Sequence, residues 1–414
     1  MPDEAEVTQS GVGRRMFGAF STRDYRLLWF GMAVSNIGSW MQLVALGWQV
    51  YLLTDSPFYL GLVGLARALP VFVFALLGGV VADRFDRRWV MLGADVASLV
   101  FALILGYVTL SGVATVWHVI VLALLTAASF SFEVPARQSW MPELVPREQM
   151  VNAIGLNAAA FNGAGVIGPT LAALVIGTVG LGAAYLINAA SFLAVIVALL
   201  MMRSTSRGKS SAQSGMFDTL MGWLRYVWRT PVILVLVMTV AVVSLLSRPY
   251  VQLMPVFARD VLGGDATNLG ILLAASGLGA FGGSLLVAYL GSFRRRGVAL
   301  LGMGALFALC LLAFAFSHWL AVSVTLSAVA GFASTFYMAT TNTMLQVNAP
   351  PALRGRVISV YSLVVMGFMP LGGMLLGSVG SVIGVPITLA LGSAVTLIWM
   401  AGVTWRVPNI KSLD

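Results

Sequence analysis

Gly78-Gly79-Val80-Val81-Ala82-Asp83-Arg84-Phe85-Asp86-Arg87-Arg88 is the stretch from which the rest of the chain is read. Five charged side chains fall within its last six residues, and apolar runs close on it from both sides, at 58–81 and 89–110. Each run is long enough to cross roughly 30 Å of hydrocarbon at about 1.5 Å per residue. A lone strand cannot satisfy its backbone in lipid, so both runs read as helices joined by a short charged turn at a membrane face. The same alternation continues along all 414 residues, with apolar spans at 27–53, 58–81, 89–110, 115–133, 150–179, 181–202, 231–261, 266–291, 298–316, 319–346, 356–380 and 384–405. The expected fold class is therefore an all-α polytopic membrane protein of twelve transmembrane helices. Composition agrees, since 59% of residues are hydrophobic, 9% are charged and mean hydropathy is +0.94, more apolar surface than a soluble core can cover.

The net charge of +9 raises the question of a nucleic-acid partner, and the placement of the 24 basic residues answers it. If the N-terminus is cytoplasmic, 21 of the 24 fall in inside segments, Arg259 alone lies outside, and Arg67 and Arg248 lie within predicted helices. This is the positive-inside pattern of a multi-pass protein of a bacterial inner membrane with both termini cytoplasmic, and nothing in it calls for nucleic acid. Cys310 is the sole cysteine, so there is no disulfide framework, and no cluster suggests a metal or cofactor. The first 25 residues lack the apolar core of a signal peptide. With His118 and His318 near predicted helix ends and no nucleophile constellation or phosphate-binding loop, the chain does not read as an enzyme.

The longest polar stretch, residues 204–215, divides the chain. The predicted organisation is an N-terminal segment 1–25, a six-helix bundle 26–203, a linker 204–230, a second bundle 231–405 and a tail 406–414. Within the linker, Phe217, Leu220 and Leu224 stand at helical spacing opposite Arg225 and Arg229, which fits a surface helix or an extension of the next span. The bundles repeat one another: Leu60-Gly61 and Arg87 recur 209 positions later as Leu269-Gly270 and Arg296, and Phe132, Pro146, Gly163 and Gly168 recur 204 positions later as Phe336, Pro350, Gly367 and Gly372. Such duplication is usual in secondary transporters.

The turn after Gly78-Gly79 resembles the loop motif of the major facilitator superfamily, with Asp86 where that family has glycine. Glycines let one helix approach another, while Asp83 can pair with an arginine in one conformation and release it in the next. The resemblance implies a conformational latch of Asp83, Arg84, Arg87, Arg88, Glu133 and Arg137, in which an acid near the end of the fourth span completes a relay with Asp83 and Arg87. A plain helix-end pair of Glu133 with Arg137 explains the second site as well. In the fifth span, Gly155, Ala164, Gly168 and Pro169, followed by Ala172-Ala173, resemble the Gly-Pro motif of the superfamily's exporters with alanine at three glycine positions. Close small-residue packing common to membrane helices accounts for the same letters. Arg23-Asp24-Tyr25-Arg26, Ser35-Asn36, Leu53-Thr54-Asp55-Ser56-Pro57 and Pro135-Ala136-Arg137-Gln138 narrow the resemblance to the branch of enterobactin exporters and macrolide efflux proteins, though Ser39 stands where many members carry an acid.

The resemblance implies alternating access and export of small amphiphilic molecules, driven by protons, by a monomer in the bilayer. An importer, a lipid or lysolipid transporter and a non-transporting sensor remain alternatives. Candidate cavity residues are Asn36, Trp40, Gln42, Gln49, Arg67, Asn157, Asn162, Arg248, Gln252 and Asn342, and Asp95 and Glu133 are candidates for proton coupling. Each polar residue among them also fits an interhelical hydrogen bond. Arg67, near mid-membrane by its position in the second span, is a cation that an anionic substrate would complement.

Overall fold

The expected helices form, and one of them breaks. The computed structural model describes residues 18–204, 230–291, 295–350 and 353–406. Its α-helices are α1 (Arg23–Thr54), α2 (Pro57–Arg84), α3 (Arg87–Leu110), α4 (Val116–Trp140), α5 (Met150–Thr178), α6 (Leu181–Met201), α7 (Pro231–Leu246), α8 (Tyr250–Val256), α9 (Ala266–Leu290), α10 (Arg296–Ala315), α11 (Leu320–Asn348), α12 (Arg354–Ile383) and α13 (Val385–Arg406). There is no strand among the described residues. The proposed surface helix and most of the linker, like the tail beyond Arg406, lie outside them.

Eleven described segments are long and apolar enough to cross a membrane. α1 is not among them, although its 32 residues give it the length. Asn36, Gln42 and Gln49 dilute its apolar character, and the structure buries Gln42 and Gln49 among neighbouring side chains. Starts and stops follow local chemistry. Asp86 caps α3 by accepting from the Arg88 amide at 3.0 Å, Thr115 caps α4, and Asp265 caps α9 through the amides of Thr267 and Asn268.

By contacts the described residues divide into two compact units that do not follow the two expected halves. The first takes its residues from Met1–Leu43, Leu69–Gly168 and Val179–Ser211; the second adds Val44–Ala68 and Pro169–Thr178 to the chain from Ala212 onward. Within the second unit the end of α1, the start of α2 and the end of α5 therefore pack with helices that follow the linker. Two crossings there repeat each other. A Cβ on Gly61 would lie 2.5 Å from the Gly373 carbonyl, and one on Gly270 would lie 2.8 Å from that of Pro169. Gly270 is the 209-position repeat of Gly61, and Gly373 the 204-position repeat of Pro169. The internal duplication thus appears as two copies of one backbone contact that only glycine admits.

Candidate functional site

Three polar clusters contain most of the candidate residues. The first lies in the first unit around the turn between α2 and α3. Gly78 lets α2 rest on the Ser131 carbonyl of α4. Arg87, 6% exposed, extends its Nη1 to Glu143 at 2.7 Å and to the Ser139 carbonyl at 3.4 Å. Arg88 donates to the Leu200 carbonyl of α6 at 2.9 Å and stacks over Trp89. Arg84 points outward, and Asp83 makes no hydrogen bond or ion pair among the described residues. The acid that meets Arg87 is thus Glu143 and not Glu133. Sequence reading passed over Glu143 because it stands beyond the fourth span, in the short turn Met141–Leu144.

Glu133 pairs instead on its own helix: Arg137 Nε donates to its Oε1 at 2.7 Å, and both side chains are almost sealed from solvent. Asp95 of α3, 3% exposed, lies within electrostatic reach of Glu133 and Arg137, and its Oδ2 has no hydrogen-bond partner among the described residues. Two carboxylates and one guanidinium therefore share an apolar interior.

The second cluster, also in the first unit, is the polar face of α1. The Asn188 amide of α6 donates to Gln42 Oε1, and Ser191 bonds to Asn188 Oδ1 at 3.1 Å. Asn36 Nδ2 has no hydrogen-bond partner among the described residues. Trp40 meets the ring of Phe161 on α5 edge to face at 5.9 Å. On α5, a Cβ at Gly168 would lie 2.5 Å from Trp40 Cβ and 2.9 Å from the Ile37 carbonyl, whereas Gly155 has nothing within 4 Å of that position. Close packing therefore accounts for Gly168 and the buried Ala164 but not for Gly155, and α5 runs through Pro169 without a break. Asn157 is partly exposed and Asn162 exposed.

The remaining candidates, Gln49, Arg67, Arg248, Gln252 and Asn342, belong to the second unit. There the expected span 231–261 is broken. α7 ends at Leu246, Ser247–Pro249 form a turn in which the Arg248 amide reaches back to the Val243 carbonyl at 2.9 Å, and α8 restarts at Tyr250. Pro249 has no amide to continue the ladder. Gly372 of α12 leaves room against the Leu245 carbonyl and Pro249, and Gly392 of α13 against the Leu246 carbonyl, where a Cβ would lie at 2.6 Å. Farther along, Gln252 sits between Gly64 and Gly373 with its Oε1 unpartnered. Tyr51 donates to Asp260, and Arg259 pairs with Asp55 while lying over the Tyr51 ring. Sequence reading missed this cluster. Its one signal was Arg259, the single basic residue on its side of the charge pattern.

The family described as transmembrane secretion effector matches residues 15–414. The chain is 28% identical over 399 residues to the multidrug efflux pump Tap of Mycolicibacterium fortuitum, covering 94% of this chain and 96% of the relative. It is 24% identical to macrolide efflux protein A of Streptococcus pyogenes, with the same coverage of each. Among solved structures, a bacterial homologue of the human lysosomal transporter Spinster superposes with TM-score 0.73 at 16% identity over 94% of this chain and 97% of its own. The nucleoside transporter NupG gives TM-score 0.72 at 12% identity over 92% and 98%.

Proposed function

Because the chain belongs to the transmembrane secretion effector family of the major facilitator superfamily, we propose that it exports small amphiphilic molecules, such as drugs, siderophores or other metabolites, by proton-driven alternating access. The observation that carries this reading is the end-to-end similarity to proteins named as efflux pumps. Asp95 and Glu133 exchange the proton: they share one cation, Arg137, in an apolar interior where one proton relieves the excess negative charge. Asp83, Arg84, Arg87 and Arg88, with Glu133, Arg137 and Glu143, form the latch that biases one access state. Tyr51, Asp55, Arg259 and Asp260 form a second such cluster in the second unit. In this reading the protein works as a monomer in the cytoplasmic membrane, with both termini cytoplasmic.

Expression in a strain stripped of its own efflux pumps tests the reading against a panel of fluorescent macrolides and dyes. Wild type is expected to lower accumulation of at least one compound several-fold, a protonophore to abolish the difference, and Asp95→Asn to reproduce the protonophore's effect without a change in membrane abundance. Unchanged accumulation across the panel, together with sugar or nucleoside uptake into vesicles, would replace export by import.

A further inference from the structure

The break between α7 and α8 leaves a guanidinium without a counter-ion. Arg248 stands in the turn, partly buried, and no carboxylate lies within ion-pair distance of it among the described residues. Its electrostatic neighbours are instead the phenols of Tyr250, Tyr337 and Tyr361. Tyr250 is engaged with Ser276 at 2.9 Å, and Tyr361 donates to the Met338 carbonyl at 3.2 Å with Asn342 beside it. Tyr337 is wholly buried, and its hydroxyl, with the Thr341 side chain nearby, has no partner within hydrogen-bond distance among the described residues. A guanidinium stays charged at any ordinary pH, and an unpaired charge or an unbonded hydroxyl inside a protein is costly. Both costs disappear if one oxyanion accepts from both groups.

The position also has a counterpart in the other repeat. Gly168 meets α1 at the Ile37 carbonyl and Gly372, its repeat, meets α7 at the Leu245 carbonyl; Arg248 follows Leu245 by the same three residues as Trp40 follows Ile37. Equivalent places in the two repeats thus hold an aromatic ring in one and a cation in the other. Broken helices are where transporters of several folds hold ions and charged substrates.

We propose that the helix break is an oxyanion subsite, in which Arg248 and the Tyr337 hydroxyl receive the carboxylate or a similar oxyanion of an amphiphile. The sequence alone suggested such a role for Arg67; the broken helix adds Arg248. As a substrate subsite it rests on the export reading, but the binding it predicts does not.

The test is equilibrium binding of dansyl-undecanoate and of its neutral methyl ester to the full chain in phosphatidylcholine nanodiscs. Wild type is expected to prefer the acid by about tenfold, Arg248→Gln to lose that preference, Arg248→Lys to keep part of it, and Tyr337→Phe to reduce it several-fold with ester binding unchanged. Nanodiscs containing phosphatidylglycerol separate two sources of the same chemistry: competition marks a lipid headgroup, and its absence marks a solute. Equal binding of acid and ester by wild type overturns the subsite, as does a preference that survives both Arg248→Gln and Tyr337→Phe. Acid preference without any export would retain the subsite and remove the transport reading; export of cations with no acid preference would do the reverse.

Discussion

Arg137 and Arg248 are the same side chain in a largely apolar protein, and their surroundings differ in kind. Arg137 holds Glu133 at 2.7 Å with Asp95 close by, so its charge is compensated from within the chain. Arg248 has three phenols for company and no acid within ion-pair distance among the described residues. Internal compensation is what a structural or proton-exchanging site requires, because the local charge must balance whether or not a substrate is bound. A cation balanced only by hydroxyls suits a site completed by something that arrives. The contrast predicts opposite responses to the same substitution.

The largest effect is expected at Arg137. Replacing it with Gln leaves Glu133, 2% exposed, without its cation, and breaking a buried pair from one side costs about 3 kcal/mol or more. Thermal unfolding in micelles should show a clear loss for Arg137→Gln, partly recovered in the double variant with Glu133→Gln. Arg248→Gln removes a charge that no carboxylate among the described residues pairs with, so its stability should stay within about 1 kcal/mol of wild type or rise. Equal losses at the two arginines would mean that Arg248 has a structural partner after all, and the comparison would fail.

Glycine sharpens the contrast at a smaller scale. Gly372→Ala drives a methyl group onto the Leu245 carbonyl and Pro249 at the helix break, where neither backbone can retreat without shifting a helix, at a cost of about 1–3 kcal/mol. Gly155→Ala, in open space within α5, should be neutral or stabilise by up to about 1 kcal/mol. The same unfolding measurement compares them. A loss at Gly155 equal to that at Gly372 would show that the exporter-like motif is a packing motif along its whole length.

Much of this architecture could be read before any coordinates, because the bilayer imposes length and charge rules that apolar spans and arginines record directly. The spans from 89–110 to 181–202 and the repeat offsets through Gly61 and Gly168 belong to that layer. The break at Arg248 was hidden inside one continuous apolar run: Pro249 alone does not settle whether a helix bends or stops, and the decision came from Gly372 and Gly392, more than a hundred residues away. Glu143 was hidden for a related reason. A relay acid was sought on a helix, yet the turn Met141–Leu144 carries the carboxylate back beneath Arg87. Partners set by tertiary return of the chain leave no local spacing to find.

The smallest change in stability, and the most informative about mechanism, is expected at the turn where the reading began. Glu143 is 53% exposed at its side chain while Arg87 is 8% exposed, so their pair is half screened, and Glu143→Gln should cost no more than about 1 kcal/mol. Asp83 has no partner among the described residues, and Asp83→Asn should leave unfolding unchanged. If Asp83 engages an arginine only in the alternative access state, that same silent substitution must still slow transport, because it raises the energy of a state the resting protein does not occupy. Cysteine accessibility in a Cys310-free background separates the two: Glu143→Gln is expected to move the resting population, and Asp83→Asn to lower turnover by several-fold. If Asp83→Asn transports at the wild-type rate, Asp83 is only a topogenic charge, and the latch reduces to Arg87 with Glu143.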